Sequence, residues 1–133
     1  MVKKRDTHQR RLVLEAVRSR TDHPSADDIY LSVREKDDRI SRGTVYRNLS
    51  VLAEGGEISH VRVPSADRYD LRPDKHYHMF CTGCGAVCDV PIDYREDYDR
   101  LAEEKTGFRI DRHRTVFEGL CSQCREKAEE EPK

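Results

Sequence analysis

In residues 7–20, Leu12, Ala16 and Val17 recur at helical spacing, with Val13 adjoining, which predicts an amphipathic helix with this set turned inward. Thr21-Asp22-His23-Pro24 ends it, because proline disfavours helical backbone at the residue before it. Ser25-Ala26-Asp27-Asp28 reads as a capping box, with Ser25 as N-cap and Asp28 at the third helical position. The helix it opens carries Ile29 and Val33 four apart. Ser41 is expected to cap a third helix over residues 42–54, in which Val45, Leu49 and Leu52 form the buried stripe and Gly55-Gly56 is the stop. Two β-prone runs, 58–63 and 68–71, flank the turn-forming Pro64-Ser65-Ala66-Asp67. Three short helices and a hairpin outline a winged helix-turn-helix, whose third helix is available for a DNA groove. A generic small α+β lobe has the same outline. The short turn before the third helix and the basic Arg42 and Arg47 favour DNA.

Arg72-Pro73-Asp74 reads as a linker. Residues 76–92 read as an extended segment interrupted by a Cys-Thr-Gly-Cys-Gly knuckle. Residues 93–106 read as a charged helix with Leu101 and Ala102 inward. Residues 108–120 form a β-prone run whose alternation slips near Arg112-His113, and the charged tail after Cys124 is expected to fray. The expected organisation is α+β: a winged-helix domain at 1–72, a hinge at 73–75 and an α/β domain at 76–133.

The 133 residues are 35% hydrophobic and 38% charged, and no apolar run approaches the roughly 18–20 residues of a membrane span. Met1-Val2-Lys3-Lys4-Arg5-Asp6 leads into further charge, so no secretory signal and a cytoplasmic location are expected. The net charge of −1 conceals an asymmetry: residues 1–72 carry +3 and residues 73–133 carry −4, while 1–20 alone carry +5. A solvated helix face gives such a patch, and so does a surface meeting a polyanion. On the second reading Lys3, Lys4, Arg5, Arg10 and Arg11 are candidates for phosphate contact, and Thr44, Tyr46 and Arg47 for base edges or thymine methyls.

Two lobes this small have thin cores, and such lobes recruit metals, disulfides or a second subunit. Five cysteines, an odd number, argue against a disulfide framework. Cys81-x2-Cys84 and Cys121-x2-Cys124 suit a closed tetrahedral site, and structural Zn²⁺ is the reading. Gly83 and Gly85 supply backbone freedom in the first knuckle. Iron in a rubredoxin-like carrier, or redox-active thiols, would use the same spacing. Cys88 is left over as an ordinary half-buried thiol.

His76-Tyr77-His78 lies just before the first knuckle, and strand alternation points both imidazoles to one side. Asp89 follows in the returning strand, Asp70 closes the wing and His23 sits in the helix-breaking turn. If all five converge, three imidazoles and two carboxylates form a site suited to Fe²⁺ or Mn²⁺, which Zn²⁺ would also enter. Such a metal would tie the two domains together across the hinge and act through its differential affinity for closed over open states.

These residues together resemble the ferric uptake regulator (Fur) family, and in particular its peroxide-sensing, PerR-like branch. The resemblance runs from about residue 7 to Cys124. It rests on His23-Pro24-Ser25-Ala26-Asp27-Asp28-Ile29-Tyr30, Gly43-Thr44-Val45-Tyr46-Arg47-Asn48-Leu49, His76-Tyr77-His78 and the two Cys-x2-Cys pairs. It implies a winged-helix DNA-binding domain, an α/β dimerisation domain, a homodimer, and metal-dependent repression at palindromic double-stranded operator DNA. It implies structural zinc on Cys81, Cys84, Cys121 and Cys124, and regulatory Fe²⁺ or Mn²⁺ on His23, Asp70, His76, His78 and Asp89. Asp at position 89 matches the peroxide sensors, where iron-sensing relatives usually carry Glu. Two ligands of the iron sensors' second site are missing from Lys75-His76-Tyr77-His78, leaving His113 without partners and structural. Against the peroxide branch, Arg47 stands where some of its members have Asn.

The resemblance further implies that His23 or His76 gains oxygen from iron and peroxide chemistry, becoming 2-oxo-histidine, which weakens metal binding and frees the operator. The sensor is consumed, so it is not an enzyme. A Fur-type iron-responsive repressor is the alternative. Two further classes are a metallohydrolase on His76, His78 and Asp89, which needs an open position and a base, and the rubredoxin-like module, indifferent to DNA.

Overall fold

The computed structural model describes residues 4–130, with side chains from 7 to 129. Two compact units divide between Asp74 and Lys75. Among the described residues no helix is long and apolar enough to cross a membrane.

The first unit runs α1 (Lys4–Arg18), α2 (Ala26–Arg34), α3 (Arg42–Glu54), β1 (Ser59–Val61) and β2 (Arg68–Asp70). Both caps form as the sequence predicts. Ser25 Oγ accepts from the Asp28 N–H while the Asp28 carboxylate accepts from the Ser25 N–H, and Ser41 Oγ accepts from the Thr44 N–H at 3.1 Å. Gly56, at φ 77°, turns the chain after α3 in a left-handed conformation that suits glycine. Ile29 and Val33 from α2 and Val45, Leu49 and Leu52 from α3 fill the core. On α1 the inward stripe is rotated from the one expected: Val13 and Val17 are fully buried, while Leu12 and Ala16 pack at its border. That helix meets both α2 and α3, so the line facing the gap between them is buried deepest. The antiparallel wing pairs Ser59 with Asp70 and Val61 with Arg68, and is shorter than the two β-prone runs. Across it His60 stacks on Tyr69 and meets Asp67 at 2.8 Å. The whole is a winged helix-turn-helix.

The second unit runs β3 (Tyr77–Cys81), β4 (Val87–Val90), α4 (Glu96–Thr106), β5 (Val116–Gly119) and α5 (Ser122–Glu130). Its sheet has the order β4-β3-β5; β4 is antiparallel to β3 and β5 parallel. A parallel neighbour needs a long crossover, which α4 occupies. Three expectations fail here. Leu101 is 50% exposed, Ala102 is only half-buried, and no residue of α4 is fully buried within the single chain. Of residues 108–120 only Val116–Gly119 form a strand, because pairing with β3 runs out at Cys81↔Gly119 at one end and His78↔Val116 at the other. Over the described residues the tail is helical, Ser122–Glu130, rather than frayed, held by Arg125 N–H to Cys121 O at 2.8 Å and by the Arg125–Glu129 pair one turn apart, and residues 131–133 lie outside the described residues.

Polar contacts, more than apolar ones, fasten α4 to β3. Asp99 Oδ1 lies 2.6 Å from His113 Nδ1, and its Oδ2 accepts from the Tyr94 hydroxyl at 2.5 Å. These two bonds, Tyr94 first, hold the Asp99 carboxyl below its ordinary range. An ionised Asp99 makes His113 Nδ1 the donor. In the neutral ring Nε2 then accepts from the Tyr77 hydroxyl at 2.7 Å. The Tyr77 oxygen in turn accepts from the Arg95 N–H at 3.0 Å. His113 therefore bonds to Asp99 and Tyr77, where the sequence left it without partners.

Replacing Leu49, fully buried between the helices, with Ala should lower the stability of the first unit by about 2–5 kcal/mol. Leu31→Ala, at a site 55% exposed, should change it by no more than about 0.5 kcal/mol. Urea unfolding followed by circular dichroism measures both.

Candidate metal centres and nucleic-acid surface

The hairpin joining β3 to β4 carries Cys81 and Cys84, and the turn from β5 into α5 carries Cys121 and Cys124. Parallel pairing of β3 with β5 brings the two knuckles together at Cys81↔Gly119. All four Sγ atoms lie within 4.8 Å of one another, and Cys84 Sγ is 3.9 Å from Cys121 Sγ. A tetrahedral ion with metal–sulfur bonds of about 2.3 Å needs sulfurs about 3.8 Å apart. Four thiols in that arrangement, with no other donor, fit structural zinc.

The backbone favours the metal-binding form of one ligand. The N–H groups of Cys121 and Cys84 point at Cys81 Sγ, at 3.3 and 3.4 Å, and hold its thiol down to about 6. Cys124 is pushed up to about 12 by hydrogen bonding first to Cys121 and then to Cys81. Gly85, at φ 79°, supplies the backbone freedom expected. Gly83 acts differently: a Cβ there would lie 3.0 Å from Cys124 Sγ, so its role is to make room. Cys88 is exposed rather than half-buried, because it faces away from Val87 on the outer side of β4. Partial desolvation and then the Asp89 carboxylate push its thiol up.

The second donor set divides between the units. In the second unit, alternation along β3 places His76 and His78 on one side with ring centroids 4.4 Å apart. The register sets Asp89 opposite His78. Asp89 Oδ1 lies 2.9 Å from His76 Nε2 and 3.3 Å from His78 Nε2, and both rings are buried. In the first unit His23 Nε2 lies 3.3 Å from Asp70 Oδ2, and both residues are buried. Their apposition comes from lacing of the Pro24 turn to β2: Tyr69 N–H donates to Pro24 O at 2.8 Å, Ser25 bridges to Arg68, and Arg68 Nη1 donates to His23 O at 3.2 Å. Asp70 Oδ1 accepts from the Arg72 N–H at 2.9 Å, leaving Oδ2 toward the imidazole. His23 adopts φ 54°, a conformation that costs a non-glycine residue of order 1–2 kcal/mol. Nitrogen and oxygen donors are thus grouped apart from sulfur, as hard divalent cations require.

On the first unit Arg11, Tyr46 and Arg47 are exposed and Thr44 is half-buried at the start of α3. Tyr46 is not core: its hydroxyl donates to Asp27 Oδ1 at 2.5 Å, which pushes the phenol up. Arg42 Nη1 donates to the same oxygen and its guanidinium lies over the Tyr30 ring, 4.5 Å from the centroid. Arg10 Nε donates to Asn48 Oδ1 at 3.2 Å, and Asn48 Nδ2 donates to Thr44 O at 2.9 Å. Asn48 and Asp27 stood within the sequence motifs but not among the candidate DNA contacts; an amide amid the apolar stripe of α3 was the available signal for Asn48. Lys3 and the side chains of Lys4 and Arg5 lie outside the described residues.

A winged helix followed by a sheet unit with a tetrathiolate knuckle and a buried histidine–carboxylate cluster defines a class of metal-responsive DNA-binding regulators. The chain belongs to the ferric uptake regulator family, whose model matches residues 2–118. It is 36% identical over 124 residues to the peroxide operon regulator of Bacillus subtilis, covering 92% of this chain and 86% of that protein. It is 39% identical over 114 residues to the ferric uptake regulation protein of the same organism, covering 82% and 76%. Among solved structures, the peroxide stress regulator of Campylobacter jejuni superposes with a TM-score of 0.73 at 28% identity, over 90% of this chain and 91% of that one. The Helicobacter pylori ferric uptake regulator, described with three functional metal-binding sites, superposes with a TM-score of 0.72 at 26% identity, over 89% and 80%.

Gly83→Ala should surrender zinc to a chelator faster than the native chain. Gly119→Ala, where an added Cβ meets nothing within 4 Å, should not. A colorimetric zinc-release assay reads the difference. His23→Gly should be more stable in the metal-free state than His23→Ala by about 1 kcal/mol, since both remove the imidazole but only glycine relieves the left-handed backbone. Equal urea midpoints for the two variants would contradict that.

Proposed function

We propose that this chain is a metal-dependent transcriptional repressor that binds palindromic operator DNA as a homodimer and responds to hydrogen peroxide. The observation that carries the reading is the sorting of donors: four thiols in one cluster, and buried imidazoles with carboxylates, free of sulfur, in the others. On this reading Cys81, Cys84, Cys121 and Cys124 hold zinc. His23 and Asp70 together with His76, His78 and Asp89 hold Fe²⁺ or Mn²⁺ and so join the two units. Iron(II), when bound there, supplies one-electron reduction of peroxide beside oxidisable imidazoles, which manganese(II) does poorly. The chain supplies the imidazoles that are modified, His23 and His76. Each is held by a carboxylate, and His23 also by a strained turn. Oxygenation of either ring removes a donor, the units separate and the operator is released. The protein is consumed in sensing and turns nothing over.

A division of labour on DNA is part of this reading. Arg10 and Arg11 meet phosphates and contribute affinity with salt dependence, while Thr44, Tyr46 and Arg47 face bases. The second unit supports self-association. Ile92, Tyr98, Leu101, Phe108, Phe117 and Leu120 are 44–71% exposed, and so many uncovered apolar side chains on one small unit call for a partner.

An iron-responsive repressor without peroxide sensing is the second reading, favoured by the 39% identity to a ferric uptake regulation protein. Operator binding by protein loaded with Fe²⁺ or Mn²⁺, before and after dilute peroxide, separates the two. Peroxide should release only the iron form, and mass spectrometry should find one added oxygen on the His23 or His76 peptide. Persistence of both forms on DNA would leave iron sensing.

A further inference from the structure

We infer that Asp27 is a specificity-determining positioning residue of the DNA-reading surface. Its carboxylate fixes Tyr46 and Arg42 at the start of α3, and its charge opposes attachment to DNA of the wrong sequence. The inference rests on the reading of α3 as the operator-reading helix. Asp27 occupies the first turn of α2, yet it takes no part in the capping box, which Ser25 and Asp28 complete between themselves. Its side chain is 62% exposed and spans to α3. One oxygen, Oδ1, accepts from both the Tyr46 hydroxyl and the Arg42 guanidinium, each at 2.5 Å.

An exposed tyrosine and an exposed arginine ordinarily sample several rotamers, and ordering them on a ligand costs affinity for that ligand. The shared carboxylate orders both before DNA arrives. Tyr46 then presents its ring edge in one direction. Arg42, over the Tyr30 ring and paired with Asp27, is withheld from phosphate. An acid on a surface that meets a polyanion also lowers sequence-independent affinity. Negative charge here therefore trades total affinity for discrimination. Its removal should move the two quantities in opposite directions, whereas a residue needed only for folding moves both downward.

The test uses the full chain with Mn²⁺, a palindromic duplex selected by the native protein from a random pool, and a random-sequence duplex of equal length. Asp27→Ala should bind the random duplex more tightly. Its slope of log affinity against log salt should steepen by about 0.9 for each protomer on the duplex, the contribution of one phosphate taken by the freed Arg42. Its preference for the selected palindrome should fall by about tenfold, the scale of one base contact. Tyr46→Phe, which keeps both charges, should lose preference without the steeper slope. Asp27→Glu should restore part of the preference. Urea midpoints of all three should stay near native, since none of these groups is in the core. If Asp27→Ala keeps both the native preference and the native slope, the inference fails while the operator reading stands. If Asp27→Ala loses affinity for both duplexes together with stability, the residue is structural and the inference fails. If the native chain selects no palindrome, the operator reading fails and takes the inference with it.

Discussion

Four thiols gathered at the ends of β3 and β5 give the second unit a place where an ion would staple it, which its thin apolar core calls for. Tyr77, Phe80, Cys81 and Val87 are its buried hydrophobics among the described residues, and α4 buries none. A parallel β3–β5 pair closes a loop of more than thirty residues, roughly, whose ordering entropy a few apolar contacts do not offset. A zinc ion on the four thiols would add binding free energy chiefly to the folded state, since a preformed site rarely exists in the unfolded chain. The rest of the unit follows from that anchor. With Cys81 fixed, the register of β3 is fixed, and alternation then dictates where His76, Tyr77 and His78 point.

That single strand serves two faces. His76 and His78 share Asp89 on one side, while Tyr77 on the other enters the His113–Asp99–Tyr94 circuit that holds α4. A slip of one residue would exchange the faces, putting a phenol among the carboxylates and imidazoles against the helix. Soft and hard donors are kept apart by the same geometry. The thiols gather beyond the strand's end and the imidazoles beside its start, so a thiophilic ion and an oxygen-preferring ion have different places to go.

Local signals in the sequence carried the first unit well. Ser25 with Asp28, Ser41, and Gly55-Gly56 mark helix ends through bonds made within a few residues, and the stripes of α2 and α3 repeat at helical period. The alternating histidines and paired cysteine knuckles were equally open to reading, since strand pleat and ligand spacing are local too. What was hidden depends on distant partners. Leu101 faces outward because a helical stripe does not say what covers it. Residues 108–115 stay irregular because the parallel partner strand is too short to pair them. His113 finds Tyr77 thirty-six positions away. The His23–Asp70 apposition depends on the bridge from Ser25 to Arg68, which no local pattern announces.

The two kinds of metal site do different physical work. The first unit has a complete core of its own, with Val13, Val17, Ile29, Leu49 and Leu52 fully or almost fully buried, and its helices are capped by its own side chains. On the proposed reading this lobe would build its core without an ion, and an ion taking His23 and Asp70 together with donors of the second unit would act through the difference in its affinity for joined and separated arrangements. Loss of one imidazole donor would then remove part of that difference while leaving the core and caps of the reading lobe as they are. A lobe controlled in this way would lose its operator and keep its structure, which suits a sensor whose signal is chemical damage to its own ligands.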